Sequence, residues 1–501
     1  MPSPSNRSLK GFPQLTAACI EGKPRSVRHR QHQFHRLHDA LIAAGASIVE
    51  ALQDDNSFLR REAVLEYSLA LRELRSTYES VSLEAEIAAA RAVEQARDSL
   101  HRKVGVGIVY IRPDRTRADV YGTLSPLCAA LAAGNCIVVE MPNTTRRTTS
   151  ILRRILLDSL DHDTFAVSDA VPPNEFLEQC VVVQQNGIDT DLPNIISTSA
   201  KRLVSPPLSS LNIFFVDRTA DLERASRSVL EAKFAFKGTS SFAPAVVFVH
   251  EAVRSQFSDC LLQDVQAFAG LATAESGTVN KVDVKTAGGP SEFEGLISDP
   301  RGRIAFIKDL QNYKTLVKSE AQKQTNLLLY SATSMDDMID SIADLTGNLL
   351  DTPSSAFIFA RLPEAKYLAN AVAADFTCVN TFPVELLVGP QFPRSMGVIA
   401  DTKALPRYIR EIFEESRPVI LTPSSTSQMV ESGLTLEQPG LRSQFLDWTE
   451  LMQAPLRPTG QRLGKKKDFF AVAIGVGAGV VIGMPLLILT AFVGKVVIRG
   501  L

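Results

Sequence analysis

An α/β fold is what this sequence predicts, with parallel sheets covered by helices, a helical N-terminal segment and a C-terminal transmembrane helix. Three observations carry that expectation. Between residues 27 and 103 apolar side chains recur at helical spacing. From Val104 onward, short apolar runs alternate with helical stretches, the rhythm of strands buried on both faces. Residues 469–494 form a run of 26 without a single charge. The 501-residue chain is 45% apolar, ample core for several domains. Its 53 basic residues stand against 55 acidic ones, so it lacks the electrostatic footprint of a nucleic-acid binder. The six cysteines (Cys19, Cys128, Cys136, Cys180, Cys260 and Cys378) form no CxxC pair and no metal spacing. That usage fits a reducing compartment, with cysteines acting as small buried hydrophobes.

Taken in order, residues 1–26 are rich in Pro, Ser and Arg and read as a disordered leader; no continuous apolar run marks a signal peptide. Helices follow, with Phe34, Leu37, Leu41 and Ile48 on one stripe and Ala63, Leu65, Leu69 and Leu71 on another. His29, His32, His35 and His38 make an HxxHxxHxxH run. Positions three apart can share a helix face, but this period drifts around the helix and no carboxylate or thiol cluster joins it, so a solvated face is expected. Next come strand candidates at Val106–Ile111, Cys136–Val139, Phe165–Val167 and Asn194–Ile196. Helix candidates lie at Leu124–Ala133 and Thr148–Leu160.

The stretch from Phe234 to Val249 reads as a helix end, a turn marked by Gly238, and a buried strand from Val246. It resembles the nucleophile turn of the aldehyde dehydrogenase superfamily, where a Gly-Gln-x-Cys-x-Ala-Pro run carries the reactive thiol. Gly238, Ala243 and Pro244 match that run. Leu124-Ser-Pro-Leu-Cys-Ala-Ala-Leu-Ala-Ala-Gly-Asn135 is similar to the family's small-residue helix ending in Ala-Gly-Asn. The segment from Phe214 to Ala225 resembles its strand–helix unit, and the segments at Phe357 and at Cys378-Val-Asn380-Thr resemble its late strand pair. The likeness spans residues 27–390 and is nearest the fatty aldehyde dehydrogenase branch, whose members end in a membrane anchor. It implies a helical segment over 27–103, a Rossmann-type dinucleotide-binding domain over 104–206 and an α/β catalytic domain over 207–390. A divergent return segment and linker, 391–464, would precede the anchor.

The resemblance also implies a damaged site. Thr239 stands where the family has Gln, and Ser241 where it has the nucleophilic Cys. A thiolate attacks readily near neutral pH, whereas a serine hydroxyl needs a strong adjacent base. His250 is the histidine nearest in sequence. Arg115 falls at the position of the oxyanion Asn, or Arg117 if the loop's extra residues are placed earlier, and Pro207 replaces the general-base Glu. On the cofactor side, Glu140 or Met141 takes the place of the ribose-contacting Lys. Ile196-Ser197-Thr-Ser199 replaces the Phe-Thr-Gly-Ser turn. The residues from Ala200 to Pro207 are too short and too proline-bounded for the phosphate-facing helix. The expectation is a pseudoenzyme with a binding or scaffolding role and no cofactor. The alternative is NAD- or NADP-dependent oxidation of a lipophilic aldehyde. A cofactor-free serine hydrolase ranks last, for want of a His/Asp partnership.

Residues 469–494 span a hydrocarbon core of about 30 Å at about 1.5 Å per residue. Lys465–Lys467 before the run and its place at the end of the chain point to a single-pass tail anchor with a cytosolic body, in the endoplasmic reticulum by analogy. Gly475, Gly479 and Gly483 recur four apart, a small-residue face on which two anchors could pair as a homodimer.

Overall fold

The computed structural model describes residues 12–94, 103–114, 119–185, 187, 202–206, 210–276, 293–299, 302–307, 326–346, 352–393 and 407–416. All lie in the first of two compact units, Met1–Val419. The second unit, and with it the apolar run 469–494 and its glycines, is outside the described residues. Among the described residues no helix is long and apolar enough to cross a membrane.

From Phe12 the expected disordered leader is instead structured. Helix α1 (Pro13–Glu21) has proline in its first turn and stops at Gly22, whose left-handed φ of 76° lets it close the helix end. Leu15 and Ala18 bury against Ile108, Tyr110 and Val138, and that contact orders the segment. Polar neighbours hid so short a stripe.

Ser26 caps α2 (Val27–Ala43) by accepting from the His29 amide at 3.4 Å, and Phe34, Leu37 and Leu41 face inward. The histidine run splits among separate partners. His29 Nε2 lies 3.4 Å from Thr164 Oγ1, while His35 Nε2 meets the Tyr78 hydroxyl at 2.9 Å. No group of His, Cys, Asp and Glu fit to hold a metal occurs among the described residues. Helices α3 (Gly45–Asn56), α4 (Arg60–Glu79) and α5 (Leu83–Glu94) complete the helical segment.

Strand β1 (Lys103–Gly105) leads to β2 (Ile108–Arg112), α6 (Asp119–Ala132), β3 (Cys136–Glu140), α7 (Arg147–Ser159), β4 (Phe165–Ser168), the short α8 (Asn174–Leu177), β5 (Cys180–Gln184) and β6 (Arg202–Val204). Their five-stranded sheet runs β4-β3-β2-β5-β6 with every pair parallel. Helix α6 is buried on all sides, which explains its run of Ala, Cys and Leu. Gly134 (φ 80°) ends it. Asn135 then accepts from the Gly107 amide at 2.9 Å and donates to the Ala130 and Phe413 carbonyls at 3.0 and 3.1 Å. The Ala-Gly-Asn motif is therefore a clamp joining helix, sheet and return segment. Strands β5 and β6 are additions to the sequence-based expectation, and the strand expected at Asn194–Ile196 lies outside the described residues.

A second, seven-stranded sheet follows. It is built from β7 (Asn212–Val216), β8 (Val246–His250), β9 (Phe293–Asp299), β10 (Gly302–Ile307), β11 (Asn326–Ala332), β12 (Ser355–Phe359) and β13 (Phe376–Val379). Helix α9 (Leu222–Phe234) joins β7 to β8, and α10 (Arg254–Ser276) follows β8. Helix α11 (Met335–Thr346) connects β11 to β12, and α12 (Leu362–Ala371) connects β12 to β13. The order is β13-β12-β7-β8-β11-β10-β9, parallel except for β9 against β10. Ile213, Phe215, Val246 and Phe248 feed one apolar layer while Phe214, Val216, Val247 and Val249 feed the other. Burial on both faces is why these strands read as unbroken apolar runs. Strand β14 (Glu414–Ser416) returns to pair antiparallel with β1.

Candidate active site

The turn between α9 and β8 is held from three directions. Asp221 caps the start of α9 by accepting from the Arg224 amide at 3.2 Å. Past its end, Phe236, Lys237 and Gly238 are left-handed in succession, with φ of 49°, 56° and 73°. For non-glycine residues that conformation costs roughly 1 kcal/mol or more each. Glu62 of α4 fixes the bend by accepting from the Phe236 amide at 2.8 Å, and Phe58 packs edge-on to the Phe236 ring at 5.1 Å. Inside the bend, buried Lys233 donates to the Pro244 carbonyl at 3.1 Å.

Ser241 therefore sits in a rigid turn, as the sequence places it, but it is only 4% exposed. Its hydroxyl donates to the Gly389 carbonyl at 2.8 Å, and the Ser240 hydroxyl donates to the Leu386 carbonyl at 3.1 Å. Gly389 has φ of 96°, and a Cβ on it would fall 2.7 Å from Tyr121 Cδ1, so glycine is required for this close approach. The Ser241 carbonyl accepts from Asn212 Nδ2 at 3.0 Å and from Gln391 Nε2 at 2.5 Å. Asn212 Oδ1 in turn accepts from Ser355 Oγ at 2.8 Å and from Gln391 at 3.1 Å. His250 ends β8, so the five-residue strand, about 3.3 Å per residue, stands between it and the turn. Its Nδ1 accepts from the Ala252 amide at 3.2 Å. A proton relay from Ser241 to His250 has no route across that distance.

At the other sheet, Glu140 ends β3 and is 3% exposed. It accepts a short hydrogen bond from the Tyr110 hydroxyl, and Arg112 Nε stands 3.5 Å from the same oxygen. Met141 is buried, its carbonyl accepting from Arg153 at 2.5 Å. The order of this sheet reverses at β2, whose carboxyl end beside that of β5 is the usual ligand crevice of an open α/β sheet. There Gln185 accepts from the Asp114 amide and donates to the Gly122 carbonyl, both at 2.8 Å. Arg202 donates to Gln184 Oε1 at 2.5 Å. Gln185 and Arg202 thus tie the ends of these strands together.

The structure brings Ser241 into a buried knot and Glu140 into a separate one. Arg115, Arg117, Pro207, Ser197 and Ser199 lie outside the described residues. Strand β6 begins at Arg202, so only Ala200 and Lys201 separate it from Ser199. Asn212, Gln391 and Glu62 organise the nucleophile turn without having been legible as site residues. The one local signal was a polar residue opening the apolar run Asn212-Ile-Phe-Phe-Val.

Comparison with known proteins gives these positions a context. A model described as the aldehyde dehydrogenase family matches residues 18–279. Aldehyde dehydrogenase family 3 member B1 of Rattus norvegicus is 27% identical over 271 residues, covering 51% of this chain and 56% of the relative. The 4,4'-diapolycopene-4,4'-dial dehydrogenase of Cytobacillus firmus is 23% identical over 314 residues, covering 56% of this chain and 64% of the relative. The chain spans little more than half the length of such curated relatives. Among solved structures, a substrate-bound state of Staphylococcus aureus AldH superposes with a TM-score of 0.60 at 16% identity, covering 85% of this chain and 96% of that one. At that identity the likeness concerns the fold.

Proposed function

The chain belongs to the aldehyde dehydrogenase family, and from that membership we propose that it is a membrane-anchored, catalytically degenerate member acting as a binding or scaffolding protein. The observation that carries this reading is the Ser241 hydroxyl, which gives its hydrogen to the Gly389 carbonyl. A carbonyl oxygen cannot act as the base that a serine nucleophile needs. The short, proline-bounded stretch from Ala200 to Pro207 supports loss of the dinucleotide's phosphate seat. The internal engagement of Glu140 leaves it poorly placed to hold a ribose. The charge-free run 469–494 supports a single-pass membrane anchor with a cytosolic body, placed by analogy in the endoplasmic reticulum. Gly475, Gly479 and Gly483 offer a face for pairing two anchors.

Full-length protein in detergent micelles, supplied with NAD or NADP and a long-chain aldehyde, is expected to reduce no nicotinamide above the protein-free rate. Ser241→Ala should behave identically. Ser241→Cys should also stay silent, because a thiol restores neither a base nor a cofactor seat. Turnover by the parent that disappears in Ser241→Ala would overturn this reading in favour of a second one, NAD- or NADP-dependent oxidation of a lipophilic aldehyde. The resemblance to a dehydrogenase named for diapolycopene-dial favours that alternative.

A further inference from the structure

We propose that Cys19 and Cys136 form a peroxide-sensitive dithiol whose oxidation to a disulfide staples helix α1 to the first residue of β3. Cys19 lies on the last turn of α1 and is partly exposed, whereas Cys136 is buried; both are free thiols. Helix α1 packs directly against β3, which brings the two cysteines to one contact. The backbone at Gly107 seats them together. The Cys136 amide donates to the Gly107 carbonyl at 2.9 Å, and a Cβ on Gly107 would lie 3.6 Å from Cys19 Sγ. Cys19 also packs against the apolar layer that contains Cys136.

Cys180 shares that layer but pairs elsewhere. Ile108 of β2 stands between Cys136 on one side and Cys180 on the other. Two strand spacings, roughly 9–10 Å, separate the two backbones, beyond disulfide reach. The Cys180 thiol donates to the Phe176 carbonyl at 3.2 Å.

The two partners have unequal roles. The hydrogen bond from Cys136, helped by the Arg25 charge, lowers Cys19 to about 7 against the opposing effect of burial. The same hydrogen bond, with burial, raises Cys136 and keeps it a thiol. Cys19 is therefore the attacking thiolate and Cys136 the resolving group. The Cys19 sulfur attacks one peroxide oxygen, the O–O bond breaks, and hydroxide leaves a sulfenic acid on Cys19. The Cys136 sulfur then attacks the Cys19 sulfur and the S–O bond breaks. The departing hydroxide takes the Cys136 proton as water. Overall, two thiols are oxidised to one disulfide, and one hydrogen peroxide is reduced to two waters.

Reduced full-length protein in detergent, treated with equimolar hydrogen peroxide at neutral pH, tests the pair. The expected result is loss of two hydrogens from the intact mass, a peptide linking Cys19 to Cys136, and reversal by dithiothreitol. In Cys136→Ser the link should vanish and dimedone should trap a sulfenic acid at Cys19. In Cys180→Ser the link should form as in the parent. A measurement that needs no variant is native-state alkylation with iodoacetamide, in which Cys19 should react fastest of the six cysteines. A link from Cys19 to any other cysteine would overturn the proposal, as would both thiols remaining free after peroxide, or Cys19 reacting no faster than the buried cysteines.

Discussion

Glu66→Gln is expected to stabilise the protein by on the order of 3 kcal/mol above about pH 7 while changing little near pH 4–5. Glu66 sits wholly inside the packing between α4 and the N-terminus of α6, and burial pushes its carboxyl up to about 8. The Asp119 charge adds to that rise, while the Val120 and Tyr121 amides and the Arg146 charge oppose it. In the unfolded chain the same carboxyl titrates near 4.5. Between those values the unfolded state is ionised and the folded state still holds its proton. Rising pH then favours the unfolded state by about 1.4 kcal/mol per unit. The group's stabilising contribution is full below pH 4.5 and lost as pH rises to about 8. Glutamine keeps the carbonyl oxygen that accepts from the Val120 amide at 3.1 Å, a first-turn donor of α6, and it cannot ionise. Urea unfolding of parent and variant across this pH range measures the difference. Parallel curves at every pH would show that Glu66 does not titrate as described.

Asn212→Ala should cost about 3–4 kcal/mol, because four partners, three of them buried, lose a hydrogen bond at once. The carbonyls of Ser241 and Ala243 lose their donor, at 3.0 and 3.3 Å, and Ser355 Oγ and Gln391 Nε2 lose their acceptor, at 2.8 and 3.1 Å. Gln391 still reaches the Ser241 carbonyl, so the turn is loosened but not abandoned. Asn212→Asp is a sharper test of the geometry. A carboxylate retains the acceptor role toward Ser355 and Gln391 but turns an oxygen toward two carbonyls, so it should cost at least as much as alanine. Urea midpoints for the three proteins decide it, and an aspartate variant as stable as the parent would contradict the assignment of the amide.

How much of this was legible depends on the range of the contacts involved. Strands buried on both faces announce themselves as apolar runs, and the helical spacing of Phe34, Leu37 and Leu41 in α2 needs only local contacts, whereas α4 buries Glu62, Glu66 and Glu73 beside Ala63 and Leu69, which no apolar stripe predicts. The helix ending at Gly134 and Asn135 was legible as a motif, although its use as a three-way clamp was not. Helix α1 stayed hidden because Leu15 and Ala18 gain their burial from a sheet formed nearly a hundred residues later. Ser241 was identifiable from the turn around it. Its acceptor was not, since Gly389 lies 148 residues away and contributes a backbone atom that no side-chain pattern reveals. Glu62, 174 residues before the amide it caps, was hidden for the same reason. The Cys19–Cys136 pair likewise joins two residues that sequence alone scatters.

Calorimetric titration of NAD and NADP into full-length protein in detergent probes the central claim directly, because hydride transfer in this family cannot proceed without a bound dinucleotide. Heat no greater than dilution is the predicted outcome for both nucleotides. A saturable isotherm for either would contradict the proposed loss of the cofactor seat.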